Sequence, residues 1–248
     1  MILCIDSGNS RIKWGLYGAG GWLETAAVDH AESGKMADLP RRLPMPDCVL
    51  LANVAGDAAR TAIVDALAPW RPVLQEVTAT AAAGGVTSLY ENPSRLGVDR
   101  WCALIGARAA TSAPCVVVMA GTATTIDTLD GDGRFLGGLI LPGLDLMRRA
   151  LARDTAALPL AAGRYAAYPR STDDAITSGC IEAQAGAIER ARARLGGEAV
   201  CLLSGGAAAA IGEHLGVPHS LVSNLVLEGL ARLAADAPAG YAAGKTGG

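Results

Sequence analysis

The sequence predicts an α/β protein with two duplicated lobes, each a mixed sheet that starts with a three-stranded antiparallel meander and carries flanking helices. Three observations support this prediction. Apolar segments of strand length alternate with segments of helical composition along the 248 residues. Two hairpins with similar glycine and polar positions occur, one at the start of the chain and one near its middle. Apolar residues make up 51% of the chain but aromatic residues only 4%, which favours a closely packed core of small side chains.

The chain begins with a hairpin whose turn is polar. An apolar run ends at Asp6, the turn follows, and alternating side chains resume through Tyr17. Gly8 lets the backbone approach a ligand closely, and the turn's N–H groups and hydroxyls can donate to phosphate oxygens. Asp6 would then hold a cation or water beside the phosphate. The alternative is an ordinary tight hairpin in which Asp6 and Asn9 make only local hydrogen bonds.

The rest of the first half alternates between helix and strand. A glycine-rich turn leads into a third strand, which completes the meander. The expected elements are strand 22–28, a helix within 31–46, strand 48–54, helix 56–67, strand 73–77, loop 78–93 and helix 99–110. Together they form the predicted N-terminal lobe, residues 1–112.

The second half begins with another three-stranded meander. Its second turn, Asp130 to Gly133, is a strong hairpin signal. The expected elements are strands 115–119, 124–129, 134–141 and 199–203, and helices 143–157, 173–195, 207–213 and 222–235. These elements form the predicted C-terminal lobe, residues 113–248.

The two hairpins align with each other without a gap. When Asp6 is placed on Met119, Gly8 falls on Gly121 and Asn9 on Thr122. Chance similarity between hairpins is the alternative, because few positions are identical. Both copies nevertheless begin a meander that helix and strand follow, so a duplicated architecture is the more economical explanation.

Two facing hairpins with glycine and polar turns could clamp a polyphosphate in a cleft between lobes. Hydroxyls and N–H groups placed on phosphoryl oxygens, with a metal ion for the developing charge, are what phosphoryl transfer chiefly requires. The contributing side chains would be Asp6, Asn9, Ser10 and Lys13 from the first turn, and Thr122, Thr124 and Thr125 from the second.

Two further motifs could complete a kinase site. The strand that ends at Ser204-Gly205-Gly206 can accept an adenosine against bare backbone, although a tight strand-to-helix turn explains it equally well. Asp99 in the first turn of a predicted helix is the best candidate for a general base, and Arg100 beside it could hold an anionic substrate. An ordinary helix cap is the alternative for Asp99.

Composition excludes several classes of protein. The net charge of −3 provides no electrostatic case for binding nucleic acid or an anionic membrane. The six cysteines form no C-x-x-C or Cys-His cluster, which indicates free thiols in a reducing compartment. The chain has no signal-peptide pattern and no apolar run of membrane-spanning length, so a cytoplasmic protein is expected.

Four motifs, in order along nearly the whole chain, resemble those of type III pantothenate kinases, also called the Bvg accessory factor family. They are Asp6 to Lys13, Tyr90 to Trp101, Gly121 to Asp127 and Ser204 to Gly206. The resemblance implies the actin-like (ribonuclease H-like) fold of sugar kinases and Hsp70-like ATPases. It further implies a homodimer that uses ATP, Mg²⁺ and a monovalent cation, K⁺ or NH₄⁺.

The resemblance also implies a role for each matching residue. ATP would be bound by Asp6, Ser7, Gly8, Asn9, Ser10, Arg11, Ile12, Lys13, Thr122, Ser204, Gly205 and Gly206. Pantothenate would be bound by Tyr90, Gly97, Val98, Asp99, Arg100 and Thr172, partly across the dimer. Asp99 would be the catalytic base, and Asp6 would organise Mg²⁺.

One position departs from the family pattern. Family members commonly carry an Asp three residues before the Thr122 position, where it binds the monovalent cation, whereas this chain has Met119. A thioether is a poor ligand for a hard cation. We therefore expect weak or absent dependence on potassium or ammonium.

The implied activity is ATP-dependent phosphorylation of pantothenate to 4′-phosphopantothenate, the first step of coenzyme A biosynthesis. Two alternatives stay open at this point. One is another small-molecule kinase of the same superfold, because a fold does not determine the substrate. The other is a non-catalytic accessory or regulatory protein that binds nucleotide without turnover.

Overall fold

The computed structural model describes residues 1–160 and 162–236, which form two compact units. Among the described residues, the first unit contains Met1–Thr111 and the helical segment 225–236, and the second contains Ser112–Asn224. None of the helices in the described ranges is both long and apolar enough to cross a membrane.

Short strands make up the sheets of both units. In chain order they are β1 (Ile2–Ser7), β2 (Arg11–Gly18), β3 (Gly21–Asp29), β4 (Cys48–Asn53), β5 (Leu74–Glu76), β6 (Ala82–Ala83), β7 (Val86–Ser88), β8 (Cys115–Ala120), β9 (Ala123–Leu129), β10 (Arg134–Pro142), β11 (Val200–Ser204) and β12 (His219–Leu221).

Helices flank these strands. They are α1 (Leu39–Arg42), α2 (Asp57–Ala66), α3 (Val98–Ala110), α4 (Leu144–Asp154), α5 (Thr172–Leu195), α6 (Ala208–Gly212) and α7 (Leu225–Asp236), and 3₁₀ segments cover His30–Asp38, Ala68–Val73 and Pro93–Arg95. The helix expected within residues 31–46 is thus mostly 3₁₀. The loop expected at 78–93 contains the β6–β7 hairpin, whose turn has Gly84 and Gly85 at positive φ.

The two units repeat one sheet topology. Strands of the first unit lie in the order β3-β2-β1-β4-β5, and five strands of the second lie in the order β10-β9-β8-β11-β12. In each unit the first three strands pair antiparallel, and the two that follow them in the chain are parallel. The predicted duplication of an α/β lobe with a starting meander is therefore confirmed.

The repeat extends to details of strand position. Strands β1 and β8 share bounds at a constant spacing of 113 residues, as do β3 and β10. Each meander also has a β-bulge at the same place, where Leu23 and Leu136 are the extra residues. A shared irregularity of this kind is stronger evidence for duplication than shared glycines, because bulges are retained within families.

The ungapped alignment of the two hairpins is nevertheless wrong across their second strands. Asp6 pairs with Lys13, but Met119 pairs with Thr125 rather than with the residue at 126. The first turn, residues 8–11, is one residue longer than its counterpart at 121–123. A compensating difference in the next turn restores the spacing at β10.

The side chains of β1 point alternately to the two sides of its sheet, and a different layer of the first unit packs on each side. Leu3 and Ile5 point into an apolar core that includes Trp14, Met36 and Ile63. The even-numbered residues of β1 face the opposite side, where α3 and α7 pack. Asp6 consequently lies on the same side of the sheet as the first turn of α3.

Helix α7 belongs to the first unit, which differs from the predicted lobe boundary of 1–112 and 113–248. It crosses α3 at glycine contacts: a Cβ on Gly106 would lie 2.3 Å from the Leu225 carbonyl oxygen, and one on Gly229 would lie 1.9 Å from that of Cys102. Only glycine permits such close backbone approach. This packing joins segments far apart in the chain, so no local pattern predicts it.

Candidate active site

Asp6 lies at the carboxyl end of β1, where the first polar turn begins. Its side chain is only 7% exposed, and its strand partner is Lys13. The Gly8 N–H donates to the Arg11 carbonyl at 3.1 Å and closes the turn. The buried Ser7 hydroxyl has no hydrogen-bond partner. A buried hydroxyl without a partner at the end of β1 is an arrangement that a polar ligand at the turn would satisfy.

The electrostatic environment of Asp6 is unusual for a carboxyl group. Burial raises the pKa of Asp6 to about 6, a change that Lys13 opposes and Asp99 reinforces. The Asp99 contribution indicates that the two carboxylates, which are far apart in the chain, lie near each other in the first unit. A strongly perturbed carboxyl beside a second carboxyl is typical of functional sites.

Asp99 occupies the first turn of α3, which follows Gly97 directly. Its Oδ1 accepts a hydrogen bond from the Arg100 backbone N–H at 2.8 Å. A Cβ on Gly97 would lie 2.7 Å from that same Oδ1 atom, closer than real Cβ contacts come. Gly97 therefore makes room for the carboxylate of Asp99.

Arg100 is buried, with 6% of its surface exposed. Its guanidinium donates to the Tyr90 hydroxyl at 3.0 Å and lies 5.7 Å from the centroid of the Tyr90 ring. Buried guanidinium groups are stable only with such partners. The structure thus brings together Tyr90, Gly97, Asp99 and Arg100, all predicted to bind substrate.

The second polar turn lies at the carboxyl end of β8. Met119 pairs with Thr125 on β9 and with Ser204 on β11, so these three side chains share one face of the sheet. The Thr124 and Thr125 hydroxyls are buried without hydrogen-bond partners. The carbonyl of Thr122 accepts from the Gly143 N–H at 2.9 Å. Gly143 had no predicted role.

The Ser204-Gly205-Gly206 segment is packed against the end of β8. Gly205 has φ +102°, and a Cβ there would lie 2.4 Å from the Ala120 carbonyl oxygen. That oxygen accepts a hydrogen bond from the Ala207 N–H at 3.1 Å. The predicted adenosine turn and the second phosphate turn are therefore neighbours in the second unit.

Thr172 also lies in the second unit, as the exposed first residue of α5. Ser171 caps the helix by accepting a hydrogen bond from the Asp174 N–H at 3.2 Å. The Thr172 side chain is thus not required for capping and is exposed to solvent.

The fit of the two implied cations differs. Among residues 1–160 and 162–236, no group of three His, Cys, Asp or Glu side chains could hold a metal. Mg²⁺ commonly needs only one or two carboxylates because phosphates and waters complete its shell, so Asp6 fits it. The thioether of Met119 does not fit a potassium or ammonium ion.

Solved structures with a similar backbone show which fold this is. A conserved Baf family protein from Campylobacter jejuni superposes with a TM-score of 0.63 at 19% identity over 93% of this chain and 96% of that one. (R)-2-hydroxyglutaryl-CoA dehydratase component A from Acidaminococcus fermentans gives a TM-score of 0.54 at 13% identity over 94% and 95%. The fold is therefore that of the actin-like ATPases and sugar kinases.

Sequence comparison is more specific. A profile for type III pantothenate kinase matches residues 2–194. Type III pantothenate kinases from Dechloromonas aromatica and Aromatoleum aromaticum are 59% and 54% identical to this chain, each over 94% of it and over 99% and 98% of their own lengths. The chain belongs to the type III pantothenate kinase family.

Proposed function

We propose that this protein phosphorylates pantothenate to 4′-phosphopantothenate with ATP as the donor, the first step of coenzyme A biosynthesis. The observation that supports this most strongly is the position of Asp99. Its carboxylate has a space kept by Gly97, it lies near Asp6, and it adjoins a buried Arg100. Membership of the family supports the choice of substrate.

Asp99 acts as the general base in this proposal. It takes the proton from the primary hydroxyl of pantothenate as that oxygen attacks the γ-phosphorus of ATP, and ADP leaves in line. The hydrogen bond from the Arg100 N–H orients the carboxylate at 2.8 Å. Arg100, oriented by Tyr90, supplies positive charge for the carboxylate of pantothenate.

The nucleotide is bound by the two polar turns and by the glycine turn after β11. Residues 6–13 and Thr122 form the phosphate site, where backbone N–H groups, hydroxyls and Lys13 donate to the phosphates, and Ser204, Gly205 and Gly206 receive the adenosine. The orphan hydroxyls of Ser7, Thr124 and Thr125 support a polar ligand at these turns, because buried polar groups rarely lack a partner.

Asp6 holds Mg²⁺ in this proposal. When bound, the ion neutralises charge that develops on the transferred phosphoryl group. We do not assign a monovalent cation, because Met119 is a poor ligand for one.

The proposal includes a homodimer in which Thr172 contacts pantothenate. Strand β10 carries exposed large apolar side chains, among them Leu136 at 48% and Ile140 at 65% exposure, which is the kind of surface that a subunit covers. Sedimentation of the purified protein would test this assignment. We also place the protein in the cytoplasm in this proposal, where ATP is available.

The test is a coupled assay of ADP formation with ATP, Mg²⁺ and pantothenate. We expect pantothenate-dependent ADP formation by the wild type and almost none by Asp99→Asn. A different small-molecule kinase would form no ADP with pantothenate but would form it with another alcohol. A non-catalytic accessory protein would bind ADP without any turnover, and either result would contradict the proposal.

A further inference from the structure

His30, the first residue after β3, contacts the first polar turn. Its Nε2 atom lies 2.7 Å from the Gly8 carbonyl oxygen. A carbonyl can only accept, so Nε2 must carry the hydrogen that forms this bond. The half-buried imidazole is thereby tied to a single peptide group of the turn, the one that joins Gly8 to Asn9.

That peptide group determines where the Asn9 N–H points. A trans peptide is planar, and its N–H and C=O point in opposite directions. While His30 holds the carbonyl, the Asn9 N–H is directed away from His30. Glycine at position 8 makes rotation of this peptide inexpensive, and a rotated peptide would present an oxygen where a donor is needed for phosphate.

Other contacts stabilise the turn without determining this direction. The Gly8 N–H donates to the Arg11 carbonyl, but it belongs to the preceding peptide. The Arg11 guanidinium pairs with Asp29 at 2.9 Å on the exposed surface, which joins β2 to β3. Neither contact involves the Gly8–Asn9 peptide.

The second unit has a donor at the equivalent position. Gly143 follows β10 as His30 follows β3, at the same spacing of 113 residues. Its backbone N–H donates to the Thr122 carbonyl at 2.9 Å. Any Cβ on Gly143 would lie 2.1 Å from the Gly121 carbonyl oxygen, so that turn lies directly against the backbone. In the first turn, which is one residue longer, the donor is a side chain, and it contacts the carbonyl of Gly8 rather than that of Asn9, the residue aligned with Thr122.

We propose that His30 is a positioning residue for nucleotide binding: it holds the Gly8–Asn9 peptide so that the Asn9 N–H faces the phosphates. The inference rests on the proposed binding of ATP by this turn. It predicts that loss of the donor weakens nucleotide binding specifically, whereas a residue with a merely structural role would affect stability and both substrates alike.

The test compares two variants. His30→Leu replaces the imidazole with an apolar side chain of similar size that cannot donate, and His30→Gln has an amide that can donate from nearly the same position. His219→Ala is the matched control, because His219 also contacts a carbonyl, that of Val217, but lies in the second unit. Calorimetry measures ADP affinity, and steady-state kinetics separates KM for ATP, KM for pantothenate and kcat.

We expect His30→Leu to weaken ADP binding and to raise KM for ATP about tenfold, the effect of one well-placed hydrogen bond. KM for pantothenate should stay within about twofold of wild type by the same reasoning. His30→Gln should recover most of the loss, and His219→Ala should match the wild type. An unchanged ADP affinity in His30→Leu, no recovery in His30→Gln, or an unfolded His30→Leu protein would overturn the inference.

The two proposals fail in different ways. If the wild type phosphorylates pantothenate while His30→Leu keeps the wild-type KM for ATP, only the inference about His30 is overturned. If the wild type binds ADP and His30→Leu binds it weakly, but no pantothenate is phosphorylated, only the substrate assignment is overturned.

Discussion

The space beside Oδ1 of Asp99 is kept open by the missing side chain of Gly97: a Cβ there would lie 2.7 Å from that oxygen. The clash would involve the end of a short side chain rather than backbone. An alanine at position 97 should therefore move the carboxylate and leave the fold intact.

We expect Gly97→Ala to lower kcat about 100-fold, because a displacement of about 1 Å in a catalytic group can cost that much. Thermal unfolding should change little. Gly186→Ala is the matched control, since a Cβ on Gly186 meets nothing within 4 Å. Wild-type kcat in a folded Gly97→Ala protein would show that the position of Asp99 does not matter.

The buried carboxylate of Asp6 should destabilise the ligand-free protein at neutral pH. Its pKa in the folded protein is about 6, against an ordinary value of 3.8, so the folded state holds the proton more tightly than the unfolded state. Stability associated with this group is thus present below pH 4 and is lost as pH rises toward and through 6.

Without metal or nucleotide, the free energy of unfolding of Asp6→Asn should therefore exceed that of the wild type by about 2–3 kcal/mol above pH 6. The difference should shrink toward zero near pH 4. The same variant should lose turnover, because it loses the proposed Mg²⁺ ligand. Denaturant unfolding between pH 4 and 7.5 measures the first effect, and a gap that did not narrow on acidification would contradict the shifted pKa.

Met119 should make the enzyme insensitive to the choice of monovalent cation. Rates in sodium and potassium buffers of equal ionic strength should agree within about twofold, since a thioether does not bind hard cations. Met119→Asp should create a preference for potassium, because Thr125 and Ser204 lie beside it as oxygen donors. A strong potassium requirement in the wild type would show that other ligands replace the missing carboxylate.

The hydroxyl of Tyr90 should matter for pantothenate and not for ATP. Tyr90→Phe removes the 3.0 Å hydrogen bond to the buried Arg100 while keeping the ring beneath it. A hydrogen bond to a charged group contributes about 1.5–3 kcal/mol, which corresponds to at least a tenfold increase in KM for pantothenate. Equal effects on both KM values would indicate general disruption instead.

Local patterns were sufficient to predict the two meanders and their duplication. Alternating side chains and glycine-polar turns specify hairpins within some twenty residues, and both hairpins occur where the sequence predicts them. The one-residue difference between the first turns could not be predicted, because strand register depends on the backbone pairing of Asp6 with Lys13 and of Met119 with Thr125.

The candidate site was predictable residue by residue only through its motifs. Its geometry depends on contacts between distant segments: Asp6 lies near Asp99 because β1 directs its even-numbered residues toward α3. His30 carried no signal of its own in the sequence. Its relation to Gly143 emerges only when the two meanders are compared strand by strand in the structure.

The proposed function is tested most directly by tracing the γ-phosphoryl group of isotopically labelled ATP. With wild-type protein, Mg²⁺ and pantothenate, we expect the label to appear in 4′-phosphopantothenate, identified by mass spectrometry, with one ADP formed per product. Asp99→Asn should bind ADP as the wild type does and transfer label at least about 100-fold more slowly, the usual contribution of a general base. If folded wild-type protein transferred no label to pantothenate, the proposed function would be wrong.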